Sequence, residues 1–173
     1  MTLTPVNAGW IEVICGSMFS GKTEELIRRL RRAQIAQMSI AIFKPKIDSR
    51  FSEGHIVSHN RIKMESHIID ESNDILDIAK EHEVIGIDEA QFFDNSLINT
   101  CKELANSGKR VVVAGLDKDY RGLPFGPMPA IMCEADYLDK LRAICIKCGN
   151  PASYTQRTSS DSGQVVIGEL DKY

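Results

Sequence analysis

The sequence predicts an α/β fold with a parallel sheet, organised around a phosphate-binding loop. Three observations carry that reading. Gly16-Ser-Met-Phe-Ser-Gly-Lys-Thr23 fits the pattern G-x-x-x-x-G-K-[ST] between a short β-branched run, Trp10–Cys15, and a strong helix former beginning Glu24-Glu-Leu-Ile. A second apolar run, Ser39–Phe43, closes a strand–helix–strand unit of roughly 35 residues, which demands parallel pairing and a right-handed crossover. A third run, Val84–Ile87, ends on Asp88-Glu89, where a parallel strand delivers acid to its carboxyl edge.

The loop's chemistry follows from its residue types. Gly16 and Gly21 let the backbone curl so that successive N–H groups of Ser17, Met18, Phe19 and Ser20 face an anion. Lys22 brings a point charge to the β and γ phosphates, and the Thr23 hydroxyl is a hard ligand for Mg²⁺. The helix that follows turns its positive end to the same place. The chain is expected to bind a nucleoside triphosphate.

That helix is predicted over about residues 22–37, with Leu26, Leu30 and Ala33 on one face. Arg28, Arg29, Arg31 and Arg32 lie on or near the other, and in an acidic chain they read as a solvated face rather than a nucleic-acid surface. The strand at Ser39–Phe43 is expected to stop at Lys44-Pro45. From Lys44 to about His67 periodicity disappears, apart from a short strand around Ile56–Val57. Asp48, Arg50, Arg61 and Lys63 make this stretch either a solvated connection or a lid carrying charge to the nucleotide. His55, His59 and His67 fit no helical metal pair and are expected at the surface.

A short helix started by Ser72 or Asn73 precedes Asp88-Glu89. Asp88 suits a Mg²⁺ ion, directly or through water, and Glu89 is placed to take a proton from a nucleophile. Ser96–Ser107 reads as a helix with Leu97, Cys101 and Leu104 inward and Gly108 in the C′ place. Arg110–Gly115 is a buried strand. Leu116–Pro129, with three prolines, two glycines and the exposed-looking Tyr120 and Phe125, follows on the same edge. Its aromatics either sandwich a planar base or pack on the core. No Asn-Lys-x-Asp guanine signature is present, which disfavours a GTPase.

A 43% apolar share, 26% charge, net charge −3 and pI near 5.8 give no pull toward nucleic acid or membrane. No apolar run approaches membrane-spanning length and the N-terminus lacks a signal pattern, so a cytoplasmic address is expected. Five cysteines in such a chain argue for metal or buried thiols rather than disulfides. Ile144-Cys-Ile-Lys-Cys-Gly149 turns two thiolates toward one tetrahedral ion, half of a zinc ribbon; Gly149-Asn-Pro151 speaks against a redox pair. The polar stretch after Tyr154 reads as a loop with a short strand at Gln164–Ile167.

As a set, Gly16–Thr23, Ile87-Asp-Glu-Ala-Gln-Phe-Phe93, Gly115-Leu-Asp117, Pro124-Phe-Gly126, the Cys145/Cys148 knuckle and Tyr154-Thr-Gln-Arg157 resemble the type II thymidine kinases. The bacterial members are most similar, and the likeness runs in order over essentially the whole chain. It implies a RecA-like P-loop domain over residues 1–140 and a zinc-ribbon and lasso lobe over 141–173. It also implies transfer of the γ-phosphoryl of ATP to the 5′-hydroxyl of thymidine, giving dTMP, by a cytoplasmic homotetramer inhibited by dTTP. A RecA-like ATPase acting on nucleic acid is the alternative.

Carried over by position, the resemblance implies Glu89 as general base, with Lys22 and Arg50 offsetting charge on the transferred group. ATP would be held by Gly16, Ser17, Met18, Phe19, Ser20, Gly21, Lys22, Thr23, Asp48, Arg50, Asp88 and Gln91, with Thr23 and Asp88 at Mg²⁺. Thymidine would be held by Met18, Phe92, Leu116, Tyr120, Phe125 and Thr155, and by the lasso residues Gln164, Val165, Val166, Ile167, Gly168 and Tyr173. Cys145 and Cys148 match the first structural Zn²⁺ pair; the family's second pair comes shortly after the position of Tyr173. Ser17 stands where proline is common, Ala90 where glycine is, and Tyr120 where phenylalanine is frequent.

Overall fold

The computed structural model describes residues 8–46, 55–57 and 63–158. β1 (Trp10–Gly16) runs through the phosphate loop into α1 (Lys22–Ile35), and β2 (Ile40–Pro45) follows. β3 (His55–Val57) and β4 (Lys63–Glu65) pair with each other in antiparallel fashion. Then come β5 (His67–Ile69), α2 (Asp74–Ala79), β6 (Val84–Ile87) and a 3₁₀ turn at Ala90–Phe92. α3 (Leu97–Asn106), β7 (Arg110–Gly115), α4 (Met128–Glu134) and β8 (Tyr137–Leu141) complete the large layer structure, and β9 (Ala143–Ile144) and β10 (Pro151–Ala152) form a small antiparallel sheet.

Six strands make one parallel sheet in the order β5-β2-β6-β7-β1-β8. Period-2 alternation sends Ile11, Val13, Cys15, Phe43, Ile85, Ile87, Val111 and Val113 to one face, where α2, α3 and α4 cover them. Ile14, Ile42, Val84, Val112 and Ala114 go to the other, against Leu26, Ile27, Leu30 and Ala33 of α1. Both faces are apolar, as a covered parallel sheet requires. At Gly86 a Cβ would lie 2.7 Å from Leu30 Cδ1, so the missing side chain lets α1 approach β6. The carboxyl ends of β1, β6 and β7 share one edge, and they carry the phosphate loop, Asp88-Glu89 and the loop after Gly115.

Several expectations are corrected. β2 runs on through Lys44-Pro45, because past Phe43 its partner is β5 alone, in the register Lys44↔Ile68 and Pro45↔Ile69. At such a strand end proline's missing N–H costs little. α1 stops at Ile35: Gln37 adopts φ 62, Met38 N–H donates to Ala33 O and Gln37 N–H to Gln34 O, a Schellman ending without glycine. α3 ends in the same motif with Gly108 at φ 89, as read from the sequence. α2 starts after Asn73, one of the two residues expected there, though no side chain caps it; the buried Ser72 hydroxyl donates to Asp94 Oδ2 at 2.9 Å.

Arg29 is not on a solvated face. It bonds Glu25, Glu12 and Asp139, and its side chain is 12% exposed, because it faces the sheet beside Glu12 of β1. Arg28, Arg31 and Arg32 are exposed as expected. α4 and β8 were not foreseen. Two prolines frame the start of α4, where their missing N–H groups are harmless. β8 is a mostly exposed edge strand, so its sequence lacks the apolar run of its neighbours. No described helix is long and apolar enough to cross a membrane.

Candidate active site

The phosphate loop leaves β1 at Gly16, whose φ of 142 and closeness to Leu141 of β8 exclude a side chain: a Cβ would sit 2.2 Å from Leu141 O. Phe19 (φ 60) and Gly21 (φ 86) supply the left-handed turns that curl the loop onto α1. The Ser17 carbonyl accepts Lys22 Nζ at 2.7 Å and Ser20 Oγ at 2.8 Å, so the ammonium lies across the loop it serves. Burial lowers the Lys22 pKa below its ordinary 10.5, against the pull of Glu89, Asp88 and Asp117.

Asp88 follows directly on β6, only 7% exposed, with its N–H donating to Phe43 O. Its two carboxylate oxygens lie 3.3 and 3.5 Å from Thr23 Oγ1. A hydroxyl from the first turn of α1 and a carboxylate from the end of β6 form an oxygen donor set suited to a hard cation such as Mg²⁺. Glu89 has φ 52, a left-handed conformation that costs a non-glycine residue about 1 kcal/mol or more. Its N–H donates to Asp88 Oδ1 at 3.0 Å. Gln91 donates Nε2 to Glu89 Oε2 at 2.5 Å and accepts the Leu116 N–H on Oε1 at 2.9 Å. The Gln91 amide therefore links Glu89 to the loop after β7.

That loop is braced from inside. Asp119, 3% exposed, accepts the N–H groups of Arg121 and Leu123 on Oδ1 at 2.9 and 3.0 Å. Asp117, 5% exposed, pairs with Lys140 of β8 at 2.6 Å. Phe125 is buried, not exposed as its loop position suggested; it meets Phe92 edge to face with ring centres 5.6 Å apart. Gly126, at φ 51, lets this turn press on the Gln91 carbonyl, where a Cβ would come within 2.2 Å. Tyr120 is half-buried beneath the Arg157 guanidinium, 3.6 Å from ring centre to Cζ.

β10 and the segment after it reach both loops. Ser17 Oγ donates to Ala152 O at 3.1 Å, and Met18 N–H donates to Thr155 Oγ1 at 3.0 Å. Lys118 Nζ lies 3.9 Å over the Tyr154 ring. These contacts, and the one from Arg157, were not read from the sequence. The motif Tyr154–Arg157 marked the stretch without assigning its partners.

Cys145 and Cys148 stand in the β9–β10 turn, closed by Cys145 N–H to Asn150 O and Gly149 N–H to Cys145 O, both 2.8 Å. The backbone N–H groups of Cys148 and Lys147 lower the Cys145 thiol pKa below 9. The pair fits two corners of a tetrahedral thiolate site. Among the described residues no cluster of three or more His, Cys, Asp or Glu side chains converges. Burial instead pushes the Cys101 thiol up to about 12. Asp48, Arg50, Gln164–Gly168 and Tyr173 lie outside the described residues.

The family model described as "Thymidine kinase" matches residues 9–173. The chain belongs to the thymidine kinase family. A thymidine kinase of Rhodothermus sp. is 56% identical over 167 residues, 96% of this chain and 78% of that protein. One of Bacteroides fragilis is 56% identical over 95% of this chain and 83% of its own length. One of Porphyromonas gingivalis is 52% identical over 97% and 82% respectively. Among solved structures, domain III of the Thermotoga maritima replication initiation protein DnaA overlaps with a TM-score of 0.45 at 16% identity, covering 77% of this chain and 55% of that one.

Within this thymidine kinase family member, Gly16–Thr23, Asp88, Glu89 and Gln91 gather at the carboxyl ends of β1 and β6. Leu116, Tyr120, Phe92, Phe125 and Thr155 stand on the elements beside them.

Proposed function

We propose that this site transfers the γ-phosphoryl of ATP to the 5′-hydroxyl of thymidine, with Glu89 as the general base. The chain is a thymidine kinase by family; the roles of its residues are the reading offered here. One observation carries it: a carboxylate, Glu89, is held by Gln91 beside Asp88, Thr23 and the phosphate loop.

In this reading the loop N–H groups and the α1 N-terminus bind the triphosphate. Lys22 exchanges its Ser17 carbonyl for phosphate oxygens and offsets charge on the transferred group, joined by Arg50. Thr23 and Asp88 would hold Mg²⁺, whose chemistry there would be to neutralise phosphate charge. Glu89 accepts the 5′-hydroxyl proton as the oxygen attacks the γ-phosphorus in line and the bond to the β–γ bridging oxygen breaks, releasing ADP. Leu116, Tyr120, Phe92 and Phe125 line the base pocket with Met18 and Thr155. Gln164–Gly168 and Tyr173, outside the described residues, are assigned to nucleoside binding by the family resemblance. Cys145 and Cys148 would supply two thiolates to a structural Zn²⁺. A cytoplasmic homotetramer and inhibition by dTTP complete the reading.

Glu89→Gln tests it. General-base assistance is worth about 10²- to 10⁴-fold, so turnover should fall on that order while ATP affinity stays near wild type. A variant that keeps wild-type rates would show that Glu89 is not the base.

A further inference from the structure

We propose that Arg157 is a positioning residue for the nucleoside base, acting through the ring of Tyr120. The proposal rests on the assignment of Tyr120 to the base pocket made above.

Arg157 is 6% exposed, an unusual state for an arginine, and its guanidinium carbon lies 3.6 Å from the centre of the Tyr120 ring. The ring is thus held close by the buried Arg157 cation, while the exposed Arg121 guanidinium lies farther off, 5.2 Å from the same centre. Tyr120 sits on the loop after β7, half-buried, and its hydroxyl accepts Arg121 Nε at 2.9 Å from an exposed side chain. The buried clamp is thus the Arg157 side.

Arg157 is itself held in place. Thr155, two residues before it, accepts the Met18 N–H of the phosphate loop, and Ala152 accepts Ser17 Oγ. Lys118 over Tyr154 crosses between the same two segments in the opposite sense, cation from the loop and ring from the small lobe. The two crossings fix the register of the segment against the loop, so the tilt of Tyr120 is set by the small lobe rather than by its own backbone. A planar guanidinium stacks on an aromatic face in a way that an ammonium does not reproduce.

The test is steady-state kinetics with ATP–Mg²⁺ and thymidine on the full chain, comparing Arg157→Met, Arg157→Lys, Tyr120→Leu and the double variant Arg157→Met/Tyr120→Leu. Arg157→Met should raise KM for thymidine about five- to thirtyfold, the worth of a desolvated cation–ring contact, while KM for ATP stays within about twofold. Arg157→Lys should recover part of the loss, and it keeps the charge and buried stem if the methionine loosens the fold. In the Tyr120→Leu background Arg157→Met should have little further effect, since the two act as one unit. If Tyr120→Leu raises KM for thymidine but Arg157→Met does not, or if Arg157→Met raises both KM values equally, the proposal falls and the base pocket stands. If Tyr120→Leu leaves KM for thymidine unchanged, the pocket assignment falls and the proposal with it.

Discussion

Glu89 combines two features that rarely meet by accident: a left-handed backbone and a carboxylate bonded by a neighbouring amide at 2.5 Å. Strain at such a residue persists only where the surroundings over-determine it, here the Asp88 carboxylate below and Gln91 above. Asp88 gives a second prediction at this scale. Asp88→Asn keeps the shape beside Thr23 but removes the charge, so the Mg²⁺ concentration for half-maximal activity should rise about tenfold or more, equivalent to about 1.4 kcal/mol. A titration of activity against Mg²⁺ at saturating ATP checks it, and an unchanged midpoint would take Asp88 out of the metal site. The acids were legible because a strand ending in Asp-Glu has a fixed address. The position of Arg29 was not, because which arginine of four turns inward depends on Glu12, seventeen residues away on another element. Gln91 carried no local signal for bridging Glu89 to Leu116, a contact closed only by the tertiary fold.

At the scale of elements, the junction of β1 with β8 is as unforgiving as the Gly126 turn against Gln91. Gly16→Ala places a Cβ 2.2 Å from Leu141 O at φ 142, so backbone on one side or the other must move. Overpacking of that kind costs about 1–3 kcal/mol, and the displaced loop should also lose ATP affinity. Gly149→Ala is the control: at φ 72 it is strained, yet nothing lies within 4 Å of the added Cβ, so its cost is the conformational one of about 1–2 kcal/mol. Urea unfolding of both, with ATP affinity measured alongside, separates strain from collision. Gly16→Ala with wild-type ATP affinity would show that the loop tolerates the shift. The apolar strands β1, β2, β6 and β7 were legible from their runs and α1 and α3 from their periodicity. α4 and β8 were hidden, one behind prolines and the other by the polar composition of a sheet edge.

For the whole molecule, a carboxylate network should set the acid limit of stability. Burial pushes the Glu12 carboxyl up, but hydrogen bonds from Arg110 and Trp10, the Arg110 charge and Arg29 outweigh it and hold it below 4.5. The Arg28 hydrogen bond, helped by Arg29, holds Glu25 down to about 2 against burial. Burial likewise pushes the Asp94 carboxyl up, but hydrogen bonds from Ser96 and Ser72 outweigh it and take it down to about 2. Folded values below unfolded ones contribute stability that is full above about pH 4.5 and is lost as pH falls toward about 2. Urea midpoints measured across that window should fall steeply in the wild type and less steeply in Glu25→Gln. Equal slopes would show that Glu25 has no part in it. Glu12 joins β1 to α1 through Arg29 and to β7 through Arg110, so the same network ties the phosphate-loop strand to its neighbours.

The most direct measurement is a coupled assay with ATP–Mg²⁺ in which thymidine, deoxycytidine, deoxyadenosine and deoxyguanosine are added in turn and the monophosphate is identified. Formation of dTMP from thymidine alone, with little ATP hydrolysed when no nucleoside is present, is the expected result. ATP hydrolysis without any nucleoside monophosphate, or hydrolysis stimulated by DNA instead, would contradict it.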